Sequence, residues 1–243
     1  MKLAIDLGNT YQKAAVFSED SLIYVEKTEN LSDGIEKIFS SYPIDGAIIS
    51  SVITNYDKLS DFITTKCPLL FFDELTPIPI TNAYATPETL GKDRLASVVA
   101  ANHMFPGENI LVIDAGSCIK YDFIDTSAVY HGGAISPGLT MRFKALHTFT
   151  GKLPLIELTE FCQLTGFNTQ QSILSGVING TVAEINGIIS QYNSSYPELK
   201  VVLSGGDSEY LVNKLKSKIF AVQNIVLYGL KIILDHNDNN KNV

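Results

Sequence analysis

Two stretches of this chain repeat one another. Leu3-Ala4-Ile5-Asp6-Leu7-Gly8-Asn9-Thr10 and Leu111-Val112-Ile113-Asp114-Ala115-Gly116-Ser117-Cys118 are each an apolar run ending in Asp, then x-Gly, then small polar residues. Each resumes as a second strand-like run, Lys13 to Phe17 and Ile119 to Ile124. The two Asp residues lie 108 positions apart in a chain of 243, about half its length. A repeat at that spacing implies a duplicated, two-lobed organisation. The short Gly turns make each half begin with a hairpin. An ordinary doubly wound sheet would begin strand-helix-strand instead.

The rest of the pattern agrees. Short β-rich runs occur at Ala14 to Phe17, Ile23 to Val25, Ala47 to Ser50, Leu69 to Phe72, Ile110 to Ile113, Tyr121 to Ile124 and Val201 to Leu203. Helical periodicity appears at Leu31 to Phe39, Arg94 to His103, Leu139 to Leu146, Gln170 to Ile189 and Ser208 to Ile219. Strands and helices mix in both halves, which gives the α/β class. The expected lobes are residues 1–108 and 109–243, with the Asn-rich tail His236 to Val243 fraying.

Composition narrows the function. Apolar residues make up 45%, enough for a packed core and against disorder. The net charge of -8 argues against a nucleic-acid binder, which needs a positive surface. Met1 to Ile5 is cut by Asp6 before an export signal can form. Phe220 to Leu234 is interrupted by Gln223, Asn224 and Lys231, too short and polar to span a bilayer. Three cysteines without C-x-x-C spacing and four scattered histidines suggest neither a disulfide framework nor a zinc site. The reading is a soluble, cytoplasmic protein without membrane or nucleic-acid partners.

Five motifs carry candidate chemistry. Asp6 to Thr10, followed by Lys13, is either a plain hairpin turn or an anion site built from turn amides. Asp114-Ala115-Gly116-Ser117 is its second copy, with the same two readings. Gly91-Lys92-Asp93-Arg94 opens a helix; Asp93 is either a helix-terminal carboxylate or a base beside a guanidinium that grips an anion. Gly132 to Leu139 packs three glycines and a proline into eight residues, reading as a loop that is either an awkward turn or a ligand contact. Val201 to Asp207 is a buried strand running into Gly205-Gly206, as a turn or a place for a flat base.

In this order, D-L-G-N-T with Lys13, G-K-D-R, D-A-G-S, G-G-A-I-S-P-G, K-L-P and S-G-G-D, the set resembles the type III pantothenate kinases of the acetate/sugar kinase and actin superfamily. The resemblance spans residue 6 to about 207. It implies two ribonuclease-H-like lobes related by pseudo-duplication, with a nucleotide site in the cleft between them. It implies ATP-dependent phosphorylation of pantothenate, the first step of coenzyme A biosynthesis. Mg-ATP, a monovalent cation (K⁺ or NH₄⁺) and a homodimer come with it. Asp93 matches the general base. Asp6, Leu7, Gly8, Asn9, Thr10, Tyr11, Gln12 and Lys13 match the first phosphate loop, and Ser117 falls where a Thr usually touches ATP. Tyr84, Gly91, Lys92, Arg94 and Thr169 match substrate contacts, and Asp114 the cation ligand. Cys118-Ile119-Lys120 departs from the family, where small residues and a second Thr are common. The rival readings are a kinase of another small hydroxyl substrate and a non-catalytic accessory protein that kept the fold.

Overall fold

The computed structural model describes residues 1–8, 10–52, 56–160 and 162–240. The chain forms two compact α/β units. The first gathers Met1–Met104, Ala128–Tyr130 and Asn224–Val243; the second holds Phe105–Ser127 and His131–Gln223.

The first unit runs β1 (Lys2–Leu7), β2 (Gln12–Ser18), β3 (Ser21–Thr28), a 3-10 turn (Leu31–Asp33), α1 (Ile35–Ser41), β4 (Gly46–Ser51), α2 (Asp57–Thr64), β5 (Leu69–Phe71), β6 (Thr81–Asn82) and α3 (Lys92–Met104). Its sheet has the order β3-β2-β1-β4-β5. β1 pairs antiparallel with β2 and parallel with β4, the expected ribonuclease-H-like arrangement. Alternation along β1 buries Leu3, Ile5 and Leu7 against α1 and α2 in one core. Lys2, Ala4 and Asp6 share the opposite face.

The second unit runs β7 (Ile110–Ala115), β8 (Cys118–Ile124), β9 (Val129–Pro137), α4 (Leu139–Thr148), α5 (Thr169–Ser195), β10 (Lys200–Ser204), α6 (Ser208–Val212) and β11 (Phe220–Ala221). The sheet order β11-β10-β7-β8-β9 repeats the first unit's order strand for strand, so the duplication extends from the hairpins to the whole topology. β6 pairs with the first two residues of β9, which belong to the first unit. The core gathers Leu111, Ile113 and Ala115 with one stripe of α5, including Ile173, Val177, Ile178, Ile185 and Ile189. That helix is apolar and long enough to cross a membrane by composition, but its apolar stripe is core.

Four local expectations change. The segment from Asn224 packs with the first unit, so the compact units are not the continuous segments 1–108 and 109–243. It forms α7 (Ile225–Asn240), which carries most of the tail expected to fray. Gly229 lets α7 approach α3 backbone to backbone: a Cβ there would lie 1.8 Å from the Ala96 carbonyl oxygen. Lys2 ties to Asp238 of α7 at 2.6 Å, and buried Lys231 bonds Asp20 at 2.6 Å and Asp235 at 2.7 Å. The helix expected over Ser208 to Ile219 stops at Val212. The glycine-rich loop is largely strand β9. A Cβ at Gly133 would sit 1.6 Å from the Tyr121 carbonyl oxygen, so this glycine serves backbone packing.

Candidate active site

In the first unit, Asp6 lies near the end of β1, directly across from Lys13 in the β1–β2 register. The connection between those strands carries the remaining phosphate-loop candidates. Asn9 lies outside the described residues. A Cβ at Gly8 would come 2.9 Å from the Tyr11 carbonyl oxygen, so this turn is closed tightly on itself. Thr10 is exposed. Two of the expected ATP contacts have side chains committed elsewhere. Leu7 is wholly buried in the core, and the Gln12 Oε1 accepts the Leu31 amide at 2.6 Å. Leu7 offers a ligand its backbone only. Tyr11 carries the Lys27 ammonium 4.1 Å above its ring.

The acceptor-side candidates gather at the start of α3. Asp93 stands in the first helical turn, where a negative charge suits the positive end of the helix dipole. A Cβ at Gly91 would lie 2.5 Å from the Asp93 Oδ1, so glycine there leaves room for the carboxylate. Arg94 is 6% exposed, an unusual depth for a guanidinium. It sits 5.6 Å over the Tyr84 ring, within cation–π reach. Tyr84 in turn stacks on Tyr130 at 6.2 Å, and its amide donates to the Asn82 Oδ1 at 3.0 Å. Lys92 reaches Glu74 at 3.6 Å and the Pro87 carbonyl at 3.4 Å. Tyr84, seven positions upstream, thus joins Gly91, Asp93 and Arg94 in one cluster around the first turn of α3.

In the second unit, Ser117 is exposed at the β7–β8 turn. Its carbonyl accepts the Gly138 amide at 3.1 Å. Asp114 is directly across from Lys120 on β8, and the Lys120 Nζ donates to its Oδ2 at 2.6 Å. On its other side lies the Gly205 backbone: a Cβ there would stand 2.6 Å from the Asp114 Oδ1 and 2.2 Å from the Ala115 carbonyl oxygen. Gly205 has φ +95, so the S-G-G-D turn needs glycine at this position. The monovalent cation implied by the resemblance does not fit this arrangement, because the carboxylate expected to hold it already holds a lysine ammonium. Thr169 is the first residue of α5, beside its cap Asn168, whose Oδ1 accepts the Gln171 amide at 2.9 Å. A cavity of about 380 Å³ opens there, lined by Asn168, Gln170, Gln171, Leu174, Thr159, Cys162 and Gln163.

One polar cluster has no counterpart in the sequence reading. Glu184 of α5 accepts from Arg142 and Ser136 at 2.5 Å each and from the Tyr121 hydroxyl at 2.9 Å. Burial pushes its carboxyl up, but hydrogen bonds from Ser136, Arg142 and Tyr121 outweigh this and hold it below the usual value. The Tyr121 phenol is pushed well above its usual range by burial and by the adjacent carboxylate. The Asp207 carboxyl is raised by burial. Only an i, i+3-type pattern on α5 marks Glu184 in the sequence, and many helix residues share it.

A family model described as type III pantothenate kinase matches residues 2–191. A type III pantothenate kinase of Bacteroides fragilis is 47% identical over 240 residues, covering 98% of this chain and 99% of that protein. One from Christiangramia forsetii is 45% identical over 240 residues, with the same coverage. Among solved structures, a Campylobacter jejuni protein assigned to the Baf family of transcriptional activators has a TM-score of 0.64 at 20% identity, covering 98% of this chain and 99% of that one. Component A of the (R)-2-hydroxyglutaryl-CoA dehydratase of Acidaminococcus fermentans has a TM-score of 0.54 at 10% identity, covering 98% of each chain. At those identities the two structures share the fold with this chain.

Proposed function

This chain belongs to the type III pantothenate kinase family, and we infer that it phosphorylates pantothenate with ATP, a step of coenzyme A biosynthesis. The observation that carries the reading is the near full-length identity to relatives of that one activity, in a chain that keeps Gly91-Lys92-Asp93-Arg94 at the start of α3. The enzyme is soluble, and a cytoplasmic location and a homodimer belong to the proposal.

The acceptor hydroxyl attacks the γ-phosphorus of Mg-ATP in line. The new P–O bond forms as the bond to the β–γ bridging oxygen breaks, and ADP leaves with that electron pair. Asp93 accepts the hydroxyl proton. Because phosphoryl transfer is loose, this proton moves late and positioning dominates. Arg94 pairs with the pantothenate carboxylate, its fork pre-set by the ring of Tyr84. Lys92 and Thr169 complete the proposed acceptor contacts. Gly8, Thr10 and Lys13 of the first turn and Ser117 of the second are the proposed contacts to ATP phosphates, through turn amides, hydroxyls and the ammonium. No step is routed through a monovalent cation, since Lys120 occupies the Asp114 carboxylate.

The test is phosphopantothenate formation from Mg-ATP and pantothenate, read directly by chromatography. Wild-type protein should form it only when both substrates are present. Asp93→Asn should lower turnover by about 10²–10⁴-fold while ATP binding persists. Wild-type turnover in that variant removes Asp93 from its role. ATP consumption with a different small alcohol but not pantothenate would assign another acceptor.

A further inference from the structure

We propose that Lys120 is a built-in monovalent cation: its ammonium occupies the position on Asp114 for which the family resemblance implies K⁺ or NH₄⁺. Three observations carry this. The ammonium lies 2.6 Å from the Asp114 Oδ2, the length of a strong charge-assisted hydrogen bond. Both side chains are largely withdrawn from solvent, 18% and 17% exposed, so salt screens the pair little. The other carboxylate oxygen lies beside the Gly205 backbone, where an added Cβ would stand 2.6 Å from it.

The duplication explains where the lysine comes from structurally. Asp114↔Lys120 is a direct cross-strand pair in the β7–β8 hairpin, just as Asp6↔Lys13 is in the β1–β2 hairpin. The second unit therefore repeats the first unit's aspartate-and-lysine pairing across the two strands. An ammonium has the charge of K⁺ and a similar contact distance to oxygen. A free ion seeking Asp114 would have to share one carboxylate with a fixed like charge, which opposes its binding. A tethered ammonium, by contrast, needs no ion from solution.

The inference rests on the kinase reading, and its test separates the two. Phosphopantothenate formation is measured directly, without coupling enzymes, in about 100 mM KCl, NH₄Cl, NaCl or choline chloride, which holds ionic strength constant. Wild-type rates should agree within about twofold across the four salts, whereas Lys120→Ala should lose at least about tenfold in NaCl and recover in KCl or NH₄Cl. Melting temperature gives a readout independent of turnover. That of Lys120→Ala should be higher in KCl than in NaCl, because an ion that binds only the folded state stabilises it, and that of wild type should not depend on the salt. A wild-type enzyme that needs K⁺ overturns the proposal, and this arm stands even where the variant does not fold. A folded Lys120→Ala that is equally active in all four salts, or that recovers in none of them, also overturns it. If wild type forms no phosphopantothenate in any salt, the kinase reading fails and the melting comparison alone decides the role of Lys120.

Discussion

Replacing Gly229 by alanine should destabilise the protein, although alanine is the better helix former. In an exposed helix the exchange gains about 1 kcal/mol. At Gly229 the added methyl would sit 1.8 Å from the Ala96 carbonyl oxygen, 1.6 Å inside the 3.4 Å at which ordinary contact begins. The obstacle is backbone of α3, which cannot rotate aside as a side chain can. Separating α7 from α3 by that much costs at least the upper end of the about 1–3 kcal/mol seen for overpacked cores. The net loss is then about 2 kcal/mol, or roughly 4–8 °C in Tm for a chain of this size. Because α3 begins with Asp93 and Arg94, the shift should also raise KM for pantothenate. Gly180→Ala in α5 is the control: nothing lies within 4 Å of its added Cβ, so the same exchange should stabilise by up to about 1 kcal/mol. Thermal unfolding of both variants beside wild type decides the matter. A Gly229→Ala protein melting at or above the wild-type temperature would refute the close helix contact.

Arg94→Lys keeps the charge but loses the planar fork, so KM for pantothenate should rise by about tenfold with kcat changed far less; an unaltered KM would show that Arg94 does not hold the substrate carboxylate. Glu184→Gln should flatten the acid limb of the stability profile. The folded-state carboxyl is held below its ordinary value, so its contribution is present above the usual carboxylate range and lost as pH falls through the lower folded value. Tm measured from about pH 6 to about pH 3 should therefore fall less in the variant than in wild type, and parallel curves would mean the Arg142–Glu184 pair contributes nothing pH-dependent.

The parts of the molecule legible in sequence are those set by local pattern. The paired strand-Asp-x-Gly runs announced both hairpins, because a short Gly turn between apolar strands has few other outcomes. The start of α3 was visible from Gly91 and Asp93. What escaped depended on distant partners. Lys231 and Asn224 made the last apolar segment look broken, yet Lys231 is 7% exposed and stabilised by Asp20, more than two hundred positions away. β9 read as a loop because Gly133 gives no strand signal, and its reason is the Tyr121 carbonyl across the ladder. Among site residues, the candidates at the start of α3 formed a cluster with Tyr84. Leu7 and Gln12, by contrast, turned their side chains to the core and to Leu31. Lys120 was visibly unusual, but only the strand register shows that it meets Asp114.

The return of α7 to the first unit imposes an order on synthesis. The second unit is drawn from Phe105–Ser127 and His131–Gln223, and its whole core has been translated before α7 exists. The strands of the first unit's sheet are made before the second unit, yet α7 follows the second unit. Lys2 must wait for Asp238, 236 residues downstream, which at ribosomal speed is roughly 10–50 s. During that interval the bare face of β1 and β2, bearing Ala4, Ala15 and Phe17, is the part of the nascent chain most in need of a chaperone. The unit made first is the unit finished last.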